Sequence, residues 1–362
     1  MNSPHSPRRR RRRALLLPTA LVALGAATLG AATVDAATLG ATALSAVPSD
    51  LPSPEKGLNL LVVGVDGRRA VTATEKKKYR LGSRECACTD VIMLMHVSAK
   101  NDRVSVVSLP RDSLTEFRKG HVDRRTGERH EAHPSKINGA WAEGGSSFTV
   151  ETVEAMTKVP VHRYLEIDFR RFMDTVNVFD QGLPVCTKKR LKDKVTGIDL
   201  KPGTTTLRGG EALQYVRSRR ADGKMDFGRI QKQQLFLANL HRSLRDGLTR
   251  SPRALKAFAS TVRGKGKAER GISVAELVDL AGRLKNLTPA RTEFAVVPVH
   301  GFNPDIEGVG STLEWDGEQA SGVFAAMRAD KALPKARPEP MSEIPRGLGE
   351  YKPVKGSSLL CK

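Results

Sequence analysis

Three short apolar runs limit the fold more than anything else in the chain: LNLLVVGVD at 58–66, DVIMLMHVS at 90–98 and RVSVVSLP at 103–110. The first is almost continuously apolar and β-branched and ends in Gly-x-Asp, so it reads as a buried strand running into a loop. The other two read as strands joined by a turn at Lys100-Asn101-Asp102. A strand is expected at 162–169 (HRYLEIDF) and another at 292–299 (TEFAVVPV). Between them lie amphipathic stretches at helical spacing: one opening at KINGAWAEGG, then 149–157, RRFMDTVNVF at 170–179, SVAELVDLAGRL with Ser273 as cap, and DGEQASGVFAAMRAD at 316–330. LRGGEALQYV predicts a helix leading into a strand that carries Arg217 and Arg219. The stretch from Asp226 predicts a long helix capped by that aspartate. Strands alternating with helices give an α/β sandwich around a mostly buried sheet.

Charge and the N-terminus bound the function. The formal net charge is +21, and the block Arg8–Arg13 holds only six of those charges, so a polyanionic partner is implied for the remainder as well. After that block, 14–34 contains no charged residue. At about 1.5 Å per residue it matches a hydrocarbon core of about 30 Å. The preceding arginines place the N-terminus in the cytoplasm and the rest of the chain outside. The expected layout is a basic tail at 1–13, a transmembrane anchor at 14–34, a linker at 35–56, an extracellular domain at 57–332 and a flexible tail at 333–362. Cleavage of the apolar run as a signal peptide is the competing reading, and it also exports the domain.

Export argues against nucleic acid as the partner, and no zinc-finger or basic-zipper pattern is present. It also favours disulfides among Cys86, Cys88, Cys186 and Cys361. Cys86 and Cys88 are close in sequence, so one of them is expected to pair with Cys186. The eight histidines show no metal-ligand spacing in the sequence, and His96 reads as a packed strand residue.

The chemistry-bearing residues sit where elements end. Asp66 closes the first strand, Asp90 opens the second, and Arg111 and Asp112 follow the third. Two carboxylates converging at a sheet edge suit a hard cation such as Mg²⁺, held by Asp66 and Asp90. Equally, they can cap turns or pair with arginines. Arg217 and Arg219 share one face if they lie on a strand, and Arg229 and Gln233 share one face of a helix. Guanidinium forks from two elements, beside a helix N-terminus, match the oxygens of a diphosphate. A solvated basic face is the alternative. Gly-x-Ser-x-Gly is absent. Phosphoryl or glycosyl-phosphate transfer needs no protein nucleophile, and Asp66, Asp90 or Asp112 can serve as base.

Taken in order, LLVVGVD, TDVIML, VVSLPRDS, KIN, GGEALQYVRSR and DFGRIQKQQ resemble the LytR–CpsA–Psr family of cell-wall glycopolymer ligases, of the actinobacterial type. Lys232 stands where that family often has arginine, and Val91 where it commonly has threonine. The resemblance implies a three-layer α/β/α sandwich with a mixed sheet and an apolar interior pocket for a prenyl chain. It implies transfer of a phosphate-linked glycopolymer, such as a teichoic acid, capsule or arabinogalactan, from a polyprenyl-pyrophosphate carrier to peptidoglycan outside the membrane. By motif position Asp66 and Asp90 would bind Mg²⁺ (or Mn²⁺), and Arg111, Lys136, Arg217, Arg219, Arg229 and Gln233 would hold the pyrophosphate. Asp112 would orient Arg111 or help activate the acceptor. Other readings of the same residues are a polyprenyl-pyrophosphate phosphatase, a non-catalytic binder of anionic wall polymer, and a membrane-tethered transcription regulator.

Overall fold

The computed structural model describes residues 55–82, 86, 88–221, 223–247, 251–264, 268–336 and 351–361. The basic tail, the expected membrane anchor at 14–34 and nearly all of the linker lie outside them. Among the described residues no helix is long and apolar enough to cross a membrane.

The chain runs through β1 (Leu58–Val65), α1 (Ala73–Lys78), β2 (Thr89–Val97), β3 (Val104–Ser108), β4 (Leu114–Phe117), β5 (His133–Lys136), α2 (Ala140–Thr157), β6 (Arg163–Ile167) and α3 (Phe169–Asn177). It continues through β7 (Leu183–Thr187), β8 (Leu191–Lys192), β9 (Asp199–Leu200), β10 (Gly203–Leu207), α4 (Gly209–Arg217), α5 (Met225–Asp246), α6 (Pro252–Arg263) and α7 (Val274–Arg283). It ends with β11 (Thr292–Val296), β12 (Val299–Ile306), β13 (Gly310–Trp315), α8 (Gly317–Arg328) and β14 (Val354–Lys355).

A six-stranded mixed sheet, ordered β14-β11-β3-β2-β1-β6, is central. The β1–β2, β2–β3 and β11–β14 pairs are antiparallel, while β1–β6 and β3–β11 are parallel. Alternation along the apolar runs sends Leu61, Val63, Leu94 and Val107 to one face, where they meet Val150 and Val153 of α2 and Val323, Phe324 and Met327 of α8. Leu60, Met93, Val104 and Val106 go to the other face, against α5, α6 and α7 through Ala238, Val262 and Leu280. Both faces are covered, which is why these strands read as continuous apolar runs. His96 is fully buried in β2, between Asn59 Oδ1 (2.7 Å) and Asp330 Oδ1 (3.0 Å), as a packed strand residue should be.

Local signals place several boundaries. Ser273 and Glu276 form a reciprocal cap on α7, and Asp316 caps α8. The two helical stretches expected around 136–157 are one helix, α2, kinked at Gly145 where φ is 71°. Gly209 lets α4 start hard against α3, since a Cβ there would lie 2.4 Å from the Met173 carbonyl oxygen.

Four expectations change. No strand carries Arg217 and Arg219: Arg217 is the last residue of α4, and Arg219 lies in the turn that follows. The cap of α5 is Lys224, so Asp226 sits inside the first turn with its carboxylate available for other partners. The C-terminal stretch 351–361 is docked: Val354 and Lys355 pair with Phe294 and Glu293, and Tyr351 and Cys361 are buried. Cys186 pairs with Cys361, and Cys86 with Cys88, in place of a bond between Cys186 and the 86/88 pair. The reason is topological. The C-terminus lies along α5, with Asn239 and Arg242 holding Leu359 and Cys361 by their backbones, and this brings Cys361 to β7.

The Cys186–Cys361 link closes 175 residues. Cys361→Ser should therefore lower stability by about 3–5 kcal/mol and the midpoint of thermal unfolding by roughly 5–8 °C. Calorimetry of wild type and variant measures this, and a non-reducing peptide map should show the 186–361 peptide pair.

Candidate functional site

The site begins with an irregularity in the sheet. Along the β1–β2 pair, Gly64 lies opposite Val91 and Val65 opposite Thr89, so Asp90 is an extra residue on β2. Such a bulge leaves its residue out of the ladder and re-aims its side chain. Asp90 is turned toward three arginines from three separate segments. Its Oδ1 accepts from Arg111 Nη1 at 2.8 Å and from Arg229 Nη1 at 3.0 Å, and Arg219 Nη2 lies 3.6 Å away.

A second carboxylate completes the cluster. Asp226, one turn before Arg229 on α5, meets Arg229 Nη2 at 2.9 Å, Arg219 Nε at 2.9 Å and Arg111 Nε at 3.3 Å. The three guanidinium groups thus bridge the same two aspartates. Asp112 extends the row, 3.4 Å from Arg111 Nε and 3.6 Å from Lys136 Nζ. Lys136 is delivered by β5, which pairs with β4 so that it stands opposite Leu114, just after Asp112.

Arg217 and Asp66 form a neighbouring group. Arg68 clamps both oxygens of Asp66 at 2.5 Å. Arg217 and Arg68 both stack on the Phe169 ring, at 5.0 and 5.5 Å from its centroid. Arg217 Nη1 and Arg229 Nε are buried with no hydrogen-bond partner among the described residues. Buried donors left open beside an excess of cations suit an incoming anion. Gln233 is used differently from the sequence reading: its amide donates to the Val216 carbonyl at 3.3 Å and ties α5 to α4.

Behind these residues lies a cavity of about 330 Å³ between the sheet and α4–α7. Its walls are apolar, including Val62, Met93, Leu213, Phe236, Phe258 and Leu280, while Asp90, Arg217, Arg229 and Gln233 contribute polar lining. The lining follows α5 from Arg229 to Arg245, about 24 Å at the usual helical rise. A ligand with a dense anionic head and a long apolar tail matches both parts.

The electrostatics follow from crowding. Burial pushes the Asp90 carboxyl up, but Arg229, Arg111 and Arg219 together hold it below its ordinary value. Arg111 is raised, because Asp112, Asp226 and Asp90 outweigh its burial. Arg217 and Arg219 are lowered, by burial first and then by Arg68 and Arg229 respectively. Arg217 and Arg219 are therefore the cations whose charge an incoming anion would most stabilise.

All the residues expected to meet the diphosphate, apart from Gln233's altered bonding, belong to this cluster or line its cavity. Asp66 and Asp90 end and open adjacent paired strands, and both pair with arginines. Carboxylate oxygens are the hard donors a Mg²⁺ ion takes, so these two residues could hold one. Two contributors escaped the sequence reading. Asp226 reads as a cap in the sequence, although its i,i+3 spacing to Arg229 is a pairing signal. Arg68 carries no signal beyond being two residues from Asp66. The histidines show no metal-ligand spacing in the sequence, yet the fold gathers three of them: His121, His130, His133 and Glu143 have ligand atoms all within 4.8 Å of one another.

Because the Asp90 pKa is lowered on folding, its contribution to stability is present above the ordinary value of 3.8 and is lost as pH falls below it. Asp90→Asn should destabilise the protein by about 2–4 kcal/mol at pH 6, and the gap to wild type should close below that value. Urea unfolding at a series of pH values measures both.

Comparison with known proteins agrees with this architecture. Cell wall biosynthesis protein LcpA of Corynebacterium glutamicum is 27% identical over 306 residues, covering 78% of this chain and 57% of its own length. The polyisoprenyl-teichoic acid–peptidoglycan teichoic acid transferase TagV of Bacillus subtilis is 30% identical over 187 residues, 51% of this chain and 42% of its own. The chain spans about half the length of the curated relatives it matches. Among solved structures, B. subtilis TagV superposes with a TM-score of 0.55 at 22% identity, over 77% of this chain and 100% of that one. Protein gbs0355 of Streptococcus agalactiae gives 0.60 at 20% identity, over 78% and 91%. These establish a shared mixed α/β fold. The family model described as LytR_cpsA_psr matches residues 30–329, most of the chain, and the protein therefore belongs to the LytR–CpsA–Psr family.

Proposed function

We propose that the protein transfers a phosphate-linked glycopolymer from a polyprenyl-diphosphate carrier to a hydroxyl of peptidoglycan. The observation that carries this is the continuity of the arginine cluster with the apolar cavity along α5. A head of two phosphates and a prenyl tail need both at once. The naming of relatives as teichoic acid transferases and cell wall biosynthesis proteins supports the same reading.

Arg217 and Arg229 take the diphosphate through their unpartnered donors, and Arg111, Arg219 and Lys136 neutralise its remaining oxygens. The acceptor hydroxyl attacks the glycan-side phosphorus in line. The bridging P–O bond breaks, polyprenyl monophosphate leaves, and a phosphodiester joins glycan to acceptor. Asp112, beside Lys136 and Arg111, is placed to take the acceptor's proton. A Mg²⁺ (or Mn²⁺) held by Asp66 and Asp90 would supply further neutralisation of the diphosphate. The reaction is assigned to the outer membrane face, with 14–34 as the anchor and 1–13 inside. The run of uncharged residues after Arg8–Arg13 and the pairing of all four cysteines support that placement.

The test uses purified full-length protein with Mg²⁺, a polyprenyl-diphosphate glycan and peptidoglycan. Wild type should release polyprenyl monophosphate only when the acceptor is present, and Arg217→Ala should lower kcat/KM by roughly 10²–10³. Equal release without acceptor would make the protein a phosphatase. Binding without release would make it a carrier of wall polymer.

Narrowing the cavity separates the tail from the head. Leu213→Trp should raise KM for a long-chain prenyl carrier by about tenfold or more while leaving a short-chain analogue nearly unaffected, as measured by initial rates on both.

A further inference from the structure

Away from the arginine cluster, the long polar connection between β4 and β5 folds back on itself and gathers three imidazoles. Gly120 donates to the His130 carbonyl at 2.8 Å, and His130 donates to that of His121 at 3.0 Å, so His121 and His130 stand across a short ladder. His133 opens β5. Their rings lie 5.3–5.6 Å apart, centre to centre. Glu143 reaches them from the first turn of α2, and its backbone carbonyl accepts from Arg124 of the same connection at 2.6 Å.

The hydrogen bonds around the rings specify their tautomers. His121 Nδ1 lies 2.8 Å from the Arg118 carbonyl oxygen, and His133 Nδ1 lies 3.0 Å from that of Glu131. A carbonyl only accepts, so both Nδ1 atoms carry the hydrogen, and in the neutral rings both Nε2 atoms present lone pairs. Those Nε2 atoms face one Glu143 oxygen, at 2.8 and 3.5 Å. Acceptors then face an acceptor, and either a proton on Nε2 or a shared cation resolves the conflict; the cation would also engage His130, whose ligand atom lies within 4.8 Å of the others. Ligands around a tetrahedral zinc with bonds of about 2.0–2.1 Å stand about 3.3 Å apart, a spacing these two separations bracket. The carbonyls on Nδ1 are the outer-shell partners that orient metal-binding imidazoles. Phe148 stacks on His121 at 4.5 Å, and Phe117 meets His121 and His133 edge-on, so one side of the cluster is apolar.

We propose that His121, His130, His133 and Glu143 form a tetrahedral Zn²⁺ site that clamps the β4–β5 connection to α2. Three imidazoles and one carboxylate select zinc over magnesium, and four protein ligands make a closed, structural centre. Its effect reaches the arginine cluster by a short route, since His133 and Lys136 bound the same strand. The proposal is independent of the transfer reaction, because its readout is metal content.

Untagged full-length protein, stripped with chelator and reloaded with zinc alone, should hold about one Zn²⁺ per chain by elemental analysis, undisplaced by excess Mg²⁺. His130→Asn and Glu143→Gln should each weaken zinc at least about 100-fold in a chromophoric-chelator competition, and zinc should raise the unfolding midpoint of wild type more than theirs. Cobalt in the wild type should give the intense visible bands of a tetrahedral centre, a reading that does not depend on either variant folding. Folded wild type that takes up no zinc, variants that bind it as tightly as wild type, or an octahedral cobalt spectrum would each overturn the proposal and leave a purely hydrogen-bonded histidine cluster.

Discussion

Two aspartates, Asp90 and Asp226, make the centre of this molecule possible. Arg111, Arg219 and Arg229 would repel one another if brought together unaided, and Arg229 is almost fully buried. Bridging each guanidinium between the same two carboxylates offsets that repulsion and fixes the forks in one orientation. The arrangement needs Asp90 at a sheet bulge and Asp226 one turn ahead of Arg229. It also needs the turn after α4 to fold back over both. Strand, helix and turn therefore depend on one electrostatic cluster.

The same cluster explains the position of the cavity. Helix α5 carries Arg229 near its start and apolar residues along the face toward the sheet, and a single element thus joins the charged cluster to the apolar cavity. The sheet face opposite is Val62, Met93 and Met95, side chains without polar atoms that would need satisfying. Phe169 links the two regimes, with its ring under Arg217 and Arg68 and part of it in the cavity wall. The proposed lipid-linked diphosphate makes sense of this continuity, whereas a solvated basic face or a nucleic-acid groove would not need a buried apolar channel behind it.

Away from the site, the fold is held by a second set of long-range ties. The C-terminal stretch adds β14 to the sheet edge, where Lys355 pairs with the buried Glu293 at 2.6 Å, and then runs along α5 to Cys186. Near the site, the histidine cluster packs the β4–β5 connection onto α2. Each tie braces an element that presents a residue of the arginine cluster: α5 in the first case, β5 in the second.

Five strands of the central sheet, β1, β2, β3, β6 and β11, and most helices were legible in the sequence because burial and periodicity are local, whereas the short two-stranded pairings and β14 were not. LNLLVVGVD could hardly be anything but an interior strand, and Ser273 and Asp316 mark helix starts wherever the chain goes. The motif order was enough to identify the family. Which carboxylate faces which arginine was not legible: Asp226 looks like a cap until the turn after α4 is seen to lie over it, and Arg68 has no pattern of its own. The histidines at 121, 130 and 133 have no helical or strand spacing, and only the fold-back of their connection makes them neighbours. Cys361 finds Cys186 only because the C-terminus docks along α5. Sequence determined what each segment is; tertiary structure decided what meets what, because ion pairs, metal ligands and disulfides depend on distances that only the folded chain sets.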